Sequence, residues 1–266
     1  TVPRKHDDPD SIKDGGTLHP LTQTEQSLVM EYLEKTASRE FQLMCYLALY
    51  TGARLQTVCT MRVKNIEDLL KQTPNPLDDT YSLEVGSKTN IDTKFGVSMK
   101  IKIPTELVDD IISYTRSKAW KDRAKLSYYG NNNNYVFLTA KGNSYYTSLQ
   151  EVEDRIASNS MKGFKRARGV SVMAHIKQML KKINAEGARV RPFTFHDLRA
   201  TFGMNTLKAT LRYNFKNDQA LMYLKERMGP RFISTTMGYL EQAEFSNNVV
   251  NANSNLSKVL NQYSEK

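Results

Sequence analysis

Apolar residues recur every three to four positions along most of this chain and alternate in only one short region. That pattern predicts a mainly α fold with a small antiparallel β-sheet. The first periodic stretch is "LTQTEQSLVMEYLEK". Thr22 is its expected N-cap, and Glu25 three residues on completes a capping box, in which each side chain satisfies an orphan backbone N–H. "REFQLMCYLALY" is apolar all round, as a central buried helix must be. It stops at "TGA", where Gly52 permits a tight turn. "RLQTVCTMR" is read as the next helix. The period then drops to two. "YSLEV" places Tyr81, Leu83 and Val85 on one face, and "VSMKIKI" places Val97, Met99, Ile101 and Ile103 opposite Ser98, Lys100 and Lys102.

Between these strands lies the polar turn "GSKTNIDTKFG". Pro104 and Thr105 open a helix expected to run to about Ser127, followed by an exposed loop, "YGNNNN", and a short strand, "YVFLT". Residues 148 to 186 read as helix, basic loop, helix. The last helices are "FHDLRATFGMNTLKA", "NDQALMYLKERM" and a short one around Tyr239, capped by Ser234 or Thr235. Residues 1–20 lack apolar periodicity and are rich in Asp, Lys, Pro and Gly, so they read as a linker from a domain further upstream. Residues 246–266 form a tail with an interrupted apolar set, which can dock on a neighbouring protomer or fold back on its own domain. No internal repeat is visible.

Composition changes this picture in one respect. The 266 residues are 39% hydrophobic and 25% charged, an ordinary globular balance, but the net charge is +10. Such an excess favours polyanionic partners, nucleic acid before an anionic membrane surface. No apolar run is long enough to span a bilayer, so no membrane partner is expected. The two cysteines, Cys45 and Cys59, stand in apolar helical surroundings without metal-ligand spacing, and read as buried, reduced thiols of a cytoplasmic protein.

Five residues carry candidate chemistry. In "PFTFHDLRATFG", Thr194 and Asp197 can cap a helix whose first turn presents His196, with Arg199 one turn further on. A helix N-terminus offers free N–H groups and a positive dipole end, which suit a phosphate. Arg54 opens a helix directly after the Gly52 turn, where a guanidinium can grip an anion with two N–H groups. Lys88 in "GSKTN" sits at a hairpin tip and can reach into a groove. Tyr239 lies about one turn inside its short helix. Each has an ordinary structural reading when taken alone: a paired arginine, an exposed turn lysine, a half-buried tyrosine.

Their order and combination are more specific. "TGARLQTVCTMRVKNIED", "EVGSKTN" with "MKIKIPTEL", "FTFHDLRATFG" and "LKERMGPRFISTTMGYLE" follow one another as four boxes. In this the chain resembles the catalytic domain of the tyrosine recombinase and phage integrase family, from about Leu21 to Phe245. Two positions depart from the family pattern. Thr57 stands where an acid is usual, and Pro230 where a histidine or tryptophan is usual.

The resemblance implies a catalytic domain at 21–245, linked by 1–20 to an N-terminal DNA-binding domain. It also implies a site-specific recombinase or integrase of a mobile genetic element. Tyr239 would be the nucleophile that forms a 3′-phosphotyrosyl link. Arg54 and Arg199 would hold the scissile phosphate, and His196 would hydrogen-bond it or take the tyrosine proton. Lys88 would protonate the leaving 5′-oxygen, with Lys94 as a substitute. The same resemblance implies no metal and no cofactor. The partner would be double-stranded DNA, bound as a homotetramer or met as a monomeric fragment in a bacterial cytoplasm. Backbone phosphates would meet Lys100, Lys102, Lys162, Lys165, Arg166, Arg168 and Arg231, although the 162–168 run reads equally as a solvated charge cluster. Two other readings share the residues: a type IB topoisomerase-like enzyme, and a DNA-binding relative with impaired catalysis.

Overall fold

Residues 12–13, 17–130, 133–229 and 237–244 are described by the structure, a computed structural model. The chain divides into two compact units, Leu21–Phe202 and the parts that precede and follow it. Part of the segment expected as a linker is ordered as a short antiparallel ribbon, β1 (Ile12–Lys13) with β2 (Thr17–Leu18), in which Ile12 and Leu18 are buried.

In the larger unit, α1 (Gln23–Lys35) starts with the expected capping box. Glu25 N donates to Thr22 Oγ1 at 3.3 Å, and Thr22 N donates to Glu25 Oε2 at 2.8 Å. The second carboxylate oxygen of Glu25 accepts Arg191 N at 3.1 Å, which ties the start of α1 to the approach to the histidine box. The all-apolar helix is α2 (Arg39–Thr51), with Phe41, Leu43, Met44, Cys45, Leu47 and Ala48 all buried. It ends in the left-handed conformation at Gly52, φ 69°. Glycine is required there twice over, because a Cβ would also come within 2.6 Å of the Phe202 ring. Both cysteines are free and buried, and burial pushes both thiols up, far from the thiolate.

The helix expected at 54–62 is two helices, α3 (Leu55–Thr60) and α4 (Val63–Leu69). Met61 is extended between them, since its carbonyl accepts Val136 N at 2.9 Å while Val63 N donates to Asn134 O at 3.0 Å. Pairing with a distant segment thus replaces two intrahelical bonds. Strands β3 (Thr80–Val85) and β4 (Met99–Pro104) pair antiparallel, Leu83 opposite Ile101 and Val85 opposite Met99. Leu83, Val85, Ile101 and Ile103 face the core as the alternation predicts. Val97 is not part of that face: it is exposed and precedes the strand, because its carbonyl is taken by Thr93 Oγ1 at 2.7 Å.

The long helix expected to Ser127 is broken into α5 (Thr105–Arg116) and α6 (Lys118–Lys125). Ser117 caps α6 by accepting Trp120 N at 3.2 Å, and the turn so made buries Trp120, whose indole N–H donates to Val136 O at 2.9 Å. "YVFLT" is not a strand. It makes only isolated bridges, Arg62 with Tyr135 and Leu138 with Ser144, although Val136, Phe137 and Leu138 are fully buried. Side chains take its carbonyls instead: Trp120 that of Val136 and Arg123 that of Leu138. Two helices, α7 (Leu149–Ala157) and α8 (Val170–Ala185), flank the basic loop as expected. The long α9 (Phe195–Arg212) begins in this unit.

In the smaller unit the rest of α9 is joined by α10 (Asn217–Met228) and α11 (237–244). Pro230, Arg231, Ser234, Thr235 and the tail from 246 onward lie outside the described residues. The described residues contain no helix long and apolar enough to cross a membrane and no group of three or more metal-ligating side chains.

Candidate active site

The first turns of α9 are fixed from both ends. Asp197 Oδ2 accepts from Thr194 N at 2.7 Å and from Thr194 Oγ1 at 2.8 Å, so the sequence pair at 194 and 197 does cap the helix start. Thr201 Oγ1 donates to Asp197 O at 2.8 Å and accepts Leu21 N at 2.8 Å. His196 is half-buried in the first turn. One turn on, Arg199 is only 2% exposed, and its Nη1 donates to the carbonyl of Gly52. A buried guanidinium is costly unless its donors are taken. Here one donor braces the turn that ends α2, and two residues later that turn delivers Arg54. Arg54 is half-buried and stands as N-cap of α3 with extended backbone, φ −73° and ψ 154°. The structure therefore brings Arg54 and Arg199 to the same turn, with His196 on the neighbouring turn of α9.

Lys88 is placed differently. The polar segment between β3 and β4 is not one hairpin but an excursion of two small lobes. Gly86 bridges back to Ile91, closing a first turn at 87–90 whose exposed tip holds Lys88. Asp92 then pins the segment to the body. Its backbone N–H donates to Thr60 Oγ1 at 2.9 Å, and its Oδ2 accepts Gln56 Nε2 at 3.4 Å and Leu149 N at 3.0 Å. Gln56 and Thr60 belong to α3, so the excursion is fastened to the helix that Arg54 opens. Asp92 was not among the residues the sequence singled out, because its partners lie 32, 36 and 57 positions away. Lys94 follows in the second lobe, half-buried.

Tyr239 is on α11 and is 1% exposed. Its ring lies over Gly203 of α9: a Cβ at that position would meet Tyr239 Cε1 at 2.6 Å and Met228 Sδ at 2.7 Å. Gly203 belongs to the histidine box, but its role in admitting the tyrosine ring depends on a residue 36 positions away that no local pattern shows. Thr57, where the resemblance expects an acid, is buried in α3. A carboxylate there would need a cationic partner, whereas threonine does not.

A second cluster, also absent from the sequence reading, centres on Arg62. It is buried, donates to Ser148 Oγ at 2.7 Å and to Asn133 O at 3.1 Å, and stacks 3.7 Å from the centroid of the Tyr135 ring. Tyr135 donates in turn to Glu151 Oε2 at 2.6 Å, and burial pushes its phenol up. These bonds hold the start of α4 against α7.

The residues expected at backbone phosphates fall into two groups. Lys162, Lys165, Arg166 and Arg168 are exposed on the α7–α8 loop, and none forms an ion pair with another described residue. Lys162 and Lys165 border a cavity of about 470 Å³. The strand lysines are compensated instead: Lys102 Nζ is 3.0 Å from Asp78 Oδ2, and Lys100 Nζ is 3.6 Å from Glu84 Oε1 across the ladder.

No family model and no curated protein matches the chain. Solved structures do. The XerH site-specific recombinase, bound to its difH substrate in a pre-cleavage complex, shares 15% identity over 86% of this chain and 52% of its own, with a TM-score of 0.51. The Tn1549 transposon integrase, in complex with a circular intermediate DNA, shares 15% identity over 85% of this chain and 62% of its own, with a TM-score of 0.52. The likeness is one of fold: the chain has the fold of tyrosine recombinase catalytic domains. It spans about half the length of the XerH recombinase chains it matches.

Proposed function

We propose that this chain is the catalytic domain of a tyrosine site-specific recombinase, an integrase of a mobile element that cuts and rejoins duplex DNA. The observation that carries this reading is the buried Arg199. Its guanidinium braces the turn that presents Arg54, one helical turn from His196. Two arginines and a histidine so held form a preorganised receptor for a doubly ester-linked phosphate. The recombinase fold, the exposed cations of the α7–α8 loop and the net charge of +10 support DNA as its source.

The chemistry follows from the groups. Tyr239 Oη attacks phosphorus, a P–Oη bond forms, and the P–O5′ bond breaks. A phenol near pKa 10 needs help to lose its proton, and neighbouring cations favour the phenolate. His196 takes that proton or hydrogen-bonds a non-bridging oxygen. Arg54 and Arg199 stabilise the charge that grows on the phosphoryl oxygens. Lys88 gives a proton to the departing 5′-oxygen. A 5′-hydroxyl from a partner strand reverses the sequence. One phosphodiester is exchanged for another, so no external energy source enters. The working assembly would be a homotetramer on two duplexes.

The test is covalent trapping. A pool of nicked duplexes with randomised core sequence is incubated with the chain, and protein–DNA adducts are resolved under denaturing conditions. Tyr239→Phe should abolish the adduct while DNA affinity stays within about 2-fold, because backbone contacts supply most of the binding. An adduct that survives Tyr239→Phe would overturn the assignment of the nucleophile.

A further inference from the structure

The excursion between β3 and β4 carries a second lobe with no role in the chemistry above. Gly86 stands at its neck with φ 121°, and a Cβ there would lie 2.7 Å from both Ser98 Cα and Val97 O. Further out the two lobes remain neighbours: a Cβ added to Gly96 would come within 4.0 Å of Ser87 Cβ. Lys88 follows Ser87 on one lobe, and Phe95 precedes Gly96 on the other. The turns that carry a lysine and a phenylalanine therefore lie next to one another.

Phe95 is held in a conformation that an aromatic residue disfavours, φ 65° and ψ 19°, and yet it is 71% exposed. The turn is closed by Thr93 Oγ1 to Val97 O at 2.7 Å and by Gly96 N to Thr93 O at 3.1 Å, and Asp92 anchors it to α3 and α7. Lys94 Nζ lies 5.4 Å from the centroid of the phenylalanine ring. A left-handed backbone that directs an apolar ring outward does nothing for the core. It fits a ring that meets an apolar surface from outside, with an ammonium beside it for a neighbouring anion. Stacked bases flanked by phosphates are such a surface.

We propose that Phe95 is a DNA wedge: on the lobe beside Lys88, it enters a base step next to the scissile phosphate, while Lys94 meets the adjoining backbone. This rests on the recombinase reading. Apolar side chains that part a base step favour steps that unstack easily, so Phe95 would also bias which sequences are cut. Lys88 and Phe95 would then act as a pair, one on the phosphate and one on the bases behind it.

The experiment measures binding of the full chain to a short mixed-sequence duplex at several salt concentrations. Phe95→Ala should weaken binding roughly 5- to 100-fold, as loss of one aromatic–base contact does, and leave the salt slope unchanged. Lys94→Ala should instead flatten the slope. Leu77→Ala, which trims another exposed apolar side chain, should change neither. Phe95→Trp should keep the affinity, and DNA should quench the introduced indole, since the natural Trp120 is buried. Affinity of Phe95→Ala within about 2-fold of the parent, or an unquenched indole, overturns the wedge. If adducts still form at Tyr239 in that case, the recombinase reading stands and only the wedge falls. A parent chain that binds no duplex removes both.

Discussion

Arg199 and Lys88 are assigned to the same phosphate, and the chain holds them in opposite ways. Arg199 is buried on an 18-residue helix, with its guanidinium bonded to the backbone of the Gly52 turn. Lys88 is exposed at the tip of a four-residue turn, which Thr89 N and Oγ1 close onto Gly86 O at 3.0 Å and Asp92 anchors from behind. The difference matches the roles proposed for the two groups. Charge stabilisation works through donors that are already in place and need not reorganise when charge develops. Proton donation needs a group that reaches one oxygen at one moment and then withdraws. A stiff arginine platform and a lysine on a tethered turn are the two answers within one unit.

The comparison is broken most directly at Arg199. Arg199→Ala should lower covalent adduct formation about 100- to 1,000-fold. It should also destabilise the fold by about 1–3 kcal/mol, because the Gly52 carbonyl loses its donor in a buried place. Arg199→Lys keeps a charge but not the planar fork, and should recover little of either. Adduct yields and thermal melts of the two variants check this. Full recovery by lysine would mean that only the charge matters, and the platform description would fail.

Lys88→Ala should separate the two effects that Arg199 combines. Cleavage should fall about 100- to 10,000-fold, the span of general acid catalysis. Stability should stay within about 0.5 kcal/mol, since an exposed turn side chain supports nothing else. A substrate whose leaving group is a 5′-thiolate needs no proton, so it should restore cleavage by Lys88→Ala and leave Arg199→Ala impaired. If the thiolate substrate rescues both variants or neither, the division of labour is wrong.

The same contrast governs what was legible in the sequence. Features made by neighbours in sequence were readable: the Thr22–Glu25 box, the Gly52 stop, the Thr194–Asp197 cap, and the spacing of His196 and Arg199. Features made by distant partners were not. The bend at Met61 comes from backbone pairing with residues near 135, and "YVFLT" is core without being a strand because Trp120 and Arg123 take two of its carbonyls. The break at Ser117 lay between, since serine is a good cap but nothing local says that the chain must turn there. For the proposed site, the order of four boxes singles out Arg54, Lys88, His196, Arg199 and Tyr239. It did not point to Asp92 or Gly203, whose roles appear only when helices far apart in sequence are packed.

Asp92 gives the smallest and sharpest test, because it acts on Lys88 from behind. Asp92→Ala removes the acceptor for Leu149 N at the start of α7 and for Gln56 Nε2 on α3, while the backbone bond from residue 92 to Thr60 Oγ1 can persist. Losing a cap of this kind costs about 1 kcal/mol, so the melt should shift modestly. The excursion would then lean away from α3 and carry Lys88 with it. A displacement of about 1 Å is enough to lower cleavage roughly 10- to 100-fold. Asp92→Asn keeps an acceptor oxygen and should retain most of the rate. The discriminating measurement is again the 5′-thiolate substrate. If Asp92 positions the acid, that substrate should erase the defect of Asp92→Ala as it does for Lys88→Ala. If Asp92 only stabilises the fold, the melt moves, the defect follows the loss of folded protein, and the leaving group makes no difference.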